Sequence, residues 1–568
     1  MKESKKVTQI IALLLALLML AGCSGGGDTS QNASPEPDAA PAETQTPAPE
    51  QSDAPAEPAE PAAPSNTVLR IAIGEQYAKD QVKSCWSEAA GMLFTTMFSA
   101  LMKVDEQGQP VIFDLATDYT VSDDHLTYTY TLRDDVTWHD GEPFTAEDIE
   151  FSAKTALRSS QANSKTTLKK LVGAAEYADG ASEELPGLTI DGQTVTFQLI
   201  EPFSDFLYNM TLFRPLPKHL LEDEDPVTIN TCSFWQNPVG TGPYKFKEFQ
   251  PGAYIVCDVY DGYYGEKPGI PEIQYMVYGT VQAEAALQNG ELAMYSVDDI
   301  QTAENLLSKN SDLVSYELTE AIYIRFLTAN LTGADGNGNP KIEDPRVREA
   351  IFRAIDKSAI CEDLFQGGAE PLTTLIPSTR PEFNPNATCP AYDMDEAARL
   401  LEEAGYDFSQ PIRIAYFYDD QPTIDAMDVI KYNLEQLGLT VELNYLSGDL
   451  VTLIYDTRDY DFIYQGLSTM LVSGAYNFHR NTGAFYKILG DMYNETWADM
   501  LKRFDTTMPE DRQPIIDELQ AHESETMEIF PLWSYKQFTL VNESMLDCPK
   551  NFSSGRNQER HWEDWHLK

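Results

Sequence analysis

Few residue sets in this chain have the types and spacing that side-chain chemistry requires. His522-Glu523 opens a zinc-protease pattern, in which two imidazoles one helical turn apart hold a metal and the glutamate activates its water. The second histidine's position is Thr526 instead. Residues 240–245, Gly-Thr-Gly-Pro-Tyr-Lys, begin like a dinucleotide-binding loop, but Lys245 replaces the third glycine and Pro243 intrudes, so a tight structural turn is expected. Asp335, Asn337 and Asn339 alternate like calcium ligands, yet Pro340 takes the sharp-turn position and Arg346 the last ligand position, which leaves a Gly/Asn-rich loop. The pair Asp419-Asp420 could do acid/base work only if the fold set it across a cleft. With 90 Asp and Glu, chance pairs are expected. No metal site, cofactor or catalytic residue is assigned.

Seven cysteines remain to be placed. Lys2, Lys5 and Lys6 precede an apolar run over residues 10–20 and then Leu20-Ala-Gly-Cys23, a signal peptide with a lipobox. Small residues there suit a signal peptidase, and the Cys23 thiol is the group that takes a diacylglycerol, so the mature chain is expected to start at Cys23 and hold the membrane through that lipid. The other six, Cys85, Cys232, Cys257, Cys361, Cys389 and Cys548, match no zinc spacing. They could pair as three disulfides or stay as buried thiols, and the sequence leaves both open.

Residues 24–66 hold no Lys or Arg and hardly an apolar side chain larger than Ala; they read as a Pro-rich, self-repelling tether. The body, 67–568, is long enough for two or three domains. With 40 basic and 90 acidic residues the formal charge is −50, spread along the chain, which argues against nucleic acid as a partner.

The elements that must position any site interleave without a fixed repeat. Residues 68–73 read as a strand. At 127–132 Thr alternates with Tyr and Leu at period two, and Val136 with Trp138 continues the pattern. Asp140-Gly141 then turns the chain. Thr145-Ala-Glu-Asp148 reads as a capping box before the helical spacing of Ile149, Ala153, Ala156 and Leu157. A hairpin is expected at 188–199 and a strand at 254–259. Helices follow at 344–356 and 394–404. Strand 412–418, helix 423–437 and strand 439–445 form a parallel crossover, the mark of an α/β domain.

Five segments, in order, resemble one family. They are residues 128–157 (YTYTLRDDVTWHDGEPFTAEDIEFSAKTAL), 237–244 (NPVGTGPY), 283–291 (AEAALQNGE), 344–356 with its RVREAI core, and 397–406 (ARLLEEAGY). Together they are similar to the bacterial extracellular solute-binding proteins, family 5, the peptide/nickel receptors of ABC importers. The resemblance implies an α/β, two-lobed periplasmic-binding-protein-like fold of the extended, three-domain peptide-binding type. After the signal peptide (1–22) and tether (23–66), domain I would comprise 67–105, 231–318 and 529–568, domain II 106–230 and domain III 319–528. It further implies a monomer that is no enzyme, binds a small solute such as an oligopeptide by hinge closure, and docks on a permease with a cytoplasmic ATPase.

Dipeptide-binding relatives pair the ligand's amine with an Asp in a G-W-x-x-D-x-x-D-P loop, and its carboxylate with an Arg just after an upstream strand. Here the loop reads GLSTMLVSGAYNFH from Gly466, with Met470 and Ser473 where the carboxylates would stand, and the Arg position falls near Tyr418. The expected ligand-facing set is Tyr77 and Trp86 from the first lobe with Tyr418, Asp419, Tyr476, Phe478 and His479 from the second, since aromatics with polar handles suit a cleft. Rival readings are an oligosaccharide, opine or metal-chelate ligand, with Trp235, Trp497 and Trp533 as stacking platforms for a sugar. A secreted hydrolase and a solute-sensing signalling receptor are readings of other classes.

Overall fold

The computed structural model describes residues 67–74, 77–86, 92–105, 109–203, 205–297, 299–317, 323–469, 471–476, 479, 486–489, 495–550 and 561–568. The expected signal peptide, Cys23 and the tether lie outside the described residues, as does Phe478. No helix among the described residues is long and apolar enough to cross a membrane.

The body opens with β1 (Val68–Ile73), which buries Leu69 and Ile71. A short ribbon, β2 (Met102–Lys103) with β3 (Ile112–Phe113), leads into an antiparallel sheet of β4 (Ala116–Val121), β5 (Thr127–Leu132), β6 (Leu188–Asp191) and β7 (Thr194–Gln198). Its order is β4-β5-β7-β6. The period-two pattern of β5 is realised, with Tyr128, Tyr130 and Leu132 buried and the threonines on the other face. Val136 and Trp138 do not extend it: Trp138 is fully buried against Phe144, and only Thr137 bridges, to Pro143.

The expected helix forms as Ala146–Arg158. Thr145 N–H donates to Asp148 Oδ2 at 2.9 Å, the reciprocal half of the capping box. Asp148 also accepts from Lys218 N at 3.0 Å, so the helix start is tied to a distant segment of chain.

The chain continues through β8 (Tyr244–Gln250), β9 (Tyr254–Val259), β10 (Glu272–Val277), β11 (Met294–Val297) and β12 (Leu313–Glu317). It then crosses to a second body built on β13 (Tyr323–Ala329), β14 (Ala369–Pro371), β15 (Ile412–Tyr416), β16 (Val441–Tyr445), β17 (Phe462–Ser468) and β18 (Ile529–Tyr535). The order there is β14-β18-β13-β17-β15-β16. β15 and β16 are parallel and joined by the helix Gln421–Gln436, as the crossover pattern requires. After β18, β19 (Phe538–Asn542) returns to the first body and completes the sheet β12-β19-β11-β1-β10-β9-β8. A last ribbon pairs β20 (Leu546–Asp547) with β21 (His566–Leu567).

Because β18 belongs to the second sheet, the return crossing falls at Lys536 and Gln537 rather than at the boundary expected at 529. The crossing is anchored: Lys536 N–H donates to Gly368 O at 2.9 Å, and its ammonium lies 3.7 Å from Glu317 and 3.9 Å from Glu370. The six described cysteines are free thiols. Burial pushes those of Cys85 and Cys361 up to about 12, so both are inert at neutral pH.

Candidate functional site

In the first lobe, β1 and β11 run parallel and end side by side, with Ile71 opposite Met294. At their carboxyl ends lies a cavity of about 410 Å³, lined among others by Ile73, Gly74, Tyr77, Phe94, Tyr295 and Ser296. Ligands of open α/β sheets bind outside the carboxyl ends of parallel strands. Tyr77 is half-buried, its ring 6.1 Å from that of Phe94 and its N–H on Gly74 O at 3.1 Å, so the loop that leaves β1 holds it over the cavity.

In the second lobe, β15 pairs in parallel with the amino end of β17, Ala415 opposite Ile463, and the other edge of β17 pairs with antiparallel β13. Here Arg325 faces Gly466 across the β13–β17 pair and Trp533 across the β13–β18 pair. Its guanidinium carbon sits 4.3 Å from the ring centroid of Tyr418 and 5.3 Å from that of Tyr535. Tyr464 packs edge-on against Tyr418 at 5.9 Å. The missing side chain at Gly466 makes room for both: a Cβ there would lie 2.3 Å from Arg325 Nη1 and 2.8 Å from the Tyr418 hydroxyl, so those side-chain ends would have to move. Asp419 is exposed next to this cluster, and Asp420 caps the helix Gln421–Gln436 by accepting from Thr423 N at 2.9 Å.

The two edges are joined directly. Ser296 is paired with Thr539, their hydroxyls 3.0 Å apart, and Tyr535 lies four residues upstream of Thr539. Four residues of extended chain span at most about 14 Å, so the Arg325 cluster lies near the cavity edge across the crossing.

Of the expected ligand-facing residues, the structure thus sets Tyr77 on one edge and Tyr418 with Asp419 on the other. Trp86 is interior, 2% exposed, and its indole N–H donates to Arg214 O at 2.8 Å. Tyr476 is fully buried and donates to Glu523 Oε2 at 3.0 Å. His479 stacks on Trp497 with centroids 3.7 Å apart and lies 3.4 Å from Glu528. All three are large rings with a polar atom satisfied or packed inside, which composition cannot tell from a ring lining a cleft. Trp235, Trp497 and Trp533 are each at most 1% exposed, so none offers a stacking face. Sequence reading missed Arg325. Its signal was a lone cation in the otherwise apolar strand YIRFLTA.

Burial raises the Glu523 carboxyl from the ordinary 4.5 to about 8 and that of Glu528 to about 7, and pushes His479 down to about 3. The carboxyl contributions to stability are full below about pH 4.5 and are lost as pH rises through 7 to 8. The histidine contribution is complete above pH 6.5 and is lost as pH falls through 3. Between about pH 6.5 and 8.5 the carboxyls therefore govern. The melting temperature is expected to fall over that range, and Glu523→Gln, which keeps an acceptor for Leu375 N, is expected to flatten the fall. Equal slopes in both proteins would refute this.

Two α/β lobes joined by strand crossings, each presenting a polar-aromatic edge at the crossing, define a two-lobed binding protein. The sequence profile of the bacterial extracellular solute-binding proteins, family 5 (middle region), matches residues 111–485, and the chain belongs to that family. It is 31% identical over 352 residues to a Brucella ovis protein named as an ABC transporter peptide-binding protein. That match covers 61% of this chain and 62% of the relative, less than two thirds of the relative's length. Among solved structures it is similar to the ABC transporter substrate-binding protein CtaP of Listeria monocytogenes, with a TM-score of 0.69 and 21% identity over 88% of this chain and 99% of that one. It is also similar to NikZ of Campylobacter jejuni, solved with Ni(L-His), at a TM-score of 0.67 and 22% identity over 89% and 100%. At these identities the likeness is one of fold.

Proposed function

We propose that this chain is the solute receptor of an ABC importer, held to the outer face of the cytoplasmic membrane by lipid on Cys23. It captures an oligopeptide or peptide-like solute between hinged lobes and delivers it to a permease driven by a cytoplasmic ATPase. Domain II, residues 106–230, extends the first lobe, and the receptor acts as a monomer. The observation that carries this reading is the family match across 111–485, taken with a cavity and a cationic aromatic edge on opposite sides of one strand crossing. Capture needs no covalent step, since a ligand that bridges both edges stabilises the closed state by its differential contacts. Burial of Trp235, Trp497 and Trp533 weighs against the oligosaccharide alternative.

A thermal-shift screen of the purified protein against separate pools of di- to hexapeptides, opines, metal chelates and oligosaccharides tests the reading. A ligand of the folded state at a hundredfold excess over its Kd adds about 2.7 kcal/mol, a readily measured rise in Tm. The peptide pool is expected to give it. A shift from another pool alone would replace the ligand class, and turnover of any pool by the pure protein would overturn the receptor.

A further inference from the structure

We propose that Arg325 binds a ligand carboxylate, supplying from β13 the guanidinium that this sequence lacks after β15. The inference rests on the receptor reading and specifies its second-lobe contact. The family resemblance implies an arginine just after β15, where this chain has Tyr418. In the fold the Arg325 guanidinium lies over that same Tyr418 ring at 4.3 Å, so the charge reaches the place from β13, two strands away across β17. Gly466, opposite Arg325 in the β13–β17 register, leaves the space that the guanidinium occupies.

The hydrogen-bond accounting points the same way. Arg325 Nε is buried without a partner, and Nη1 makes only a long 3.4 Å contact to Ile324 O. Among the described residues no carboxylate forms an ion pair with it. The nearby Asp420 is committed to the helix cap, where it takes both Thr423 N and Thr423 Oγ1 at 2.9 Å. Beside the guanidinium, the buried Tyr464 and Tyr535 hydroxyls and the Trp533 indole N–H have only loose contacts with one another, Tyr535 meeting both Tyr464 and Trp533. Such orphaned groups are rare in native interiors. Here they form one donor-rich cluster whose nearby carboxylates, exposed Asp419 and helix-capping Asp420, make no ion pair with the guanidinium, and a planar two-oxygen anion fits it. A guanidinium stacked on a phenol keeps its fork aligned for a bidentate pair with a carboxylate.

The test compares a tripeptide pool with free carboxyl termini, the same pool as carboxyl-terminal amides, and a pool of opines, each titrated calorimetrically into wild type, Arg325→Met and Gly466→Ala. Wild type is expected to bind free acids about 100-fold more tightly than amides, the penalty for leaving a buried charge unpaired. Arg325→Met is expected to lose that preference while melting no lower than wild type, because it removes an unpaired buried nitrogen. Gly466→Ala, whose Cβ intrudes on Nη1, is expected to weaken acid binding in the same sense. Binding of opines that Arg325→Met abolishes would uphold the carboxylate site with another carrier. Equal affinity for acids and amides in wild type would overturn the proposal and leave the receptor standing. Absence of binding from all three pools would overturn both the carboxylate site and the peptide reading.

Discussion

Replacing Gly240 by alanine is expected to destabilise the protein by about 3 to 5 kcal/mol, at the severe end for a single substitution. A Cβ at Gly240 would lie 1.9 Å from Met97 O and 2.8 Å from Met97 C. These are backbone atoms at the end of the helix Met92–Met97, so no rotamer change relieves the clash. Retreat of the loop is blocked as well. Gly242 N–H donates to Met97 O at 2.9 Å, and a Cβ on Gly242 would itself lie 2.6 Å from Thr96 O. On the far side the imidazole of His139 accepts from Gly240 N–H at 3.2 Å through Nδ1, while its Nε2 faces Gly242 O at 3.0 Å. Burial holds that ring's pKa down to about 4, so it is neutral and its Nε2–H donates to the carbonyl. The turn is thus clamped between a helix end and a neutral histidine. Urea denaturation monitored by tryptophan fluorescence reads the loss as a lower midpoint; a change under about 1 kcal/mol would show that the close approach is not needed.

That turn also shows how far the sequence carried the fold. The glycines of residues 240–245 were legible as a tight turn because a dinucleotide loop demands a glycine where Lys245 stands. The helix against which they pack was not, since Met97 lies far away in the chain. Strands with clean alternation, such as β5, and helices with capping residues, such as Met394–Ala404, were readable because their stabilisation is local. The site was only half readable. Tyr77 and Tyr418 follow strands that the pattern located, so their edge positions could be argued. Trp86 and Tyr476 have the same amphipathic chemistry, and only tertiary packing assigns their polar atoms to internal partners. Arg325 meets Gly466 and Tyr418 only through pairing of β13 with β17 and their place beside β15, contacts that no local spacing encodes. The resemblance itself pointed away from it, because it directed attention to the single position where the family's arginine is missing.

The second large effect concerns capture by both lobes. Ser296 is an exposed residue of β11 on the cavity edge, so Ser296→Trp is expected to fill much of the cavity of about 410 Å³ without entering the core. Apo stability should fall by about 1 to 2 kcal/mol, because the buried Thr539 hydroxyl loses its Ser296 partner, and the protein stays folded. Affinity should fall about 100-fold or more, since the indole takes the ligand's place. Tyr418→Ala removes the ring beneath Arg325 in the other lobe and is expected to cost about tenfold, the scale of a desolvated cation–π support for the guanidinium. The most direct measurement is therefore calorimetric titration of one tight-binding peptide into wild type, Ser296→Trp and Tyr418→Ala. Loss of affinity in both variants, with both still folded, is the result expected of a solute held between two lobes. Wild-type affinity in either variant would place the ligand on one lobe alone, or elsewhere, and would contradict the account.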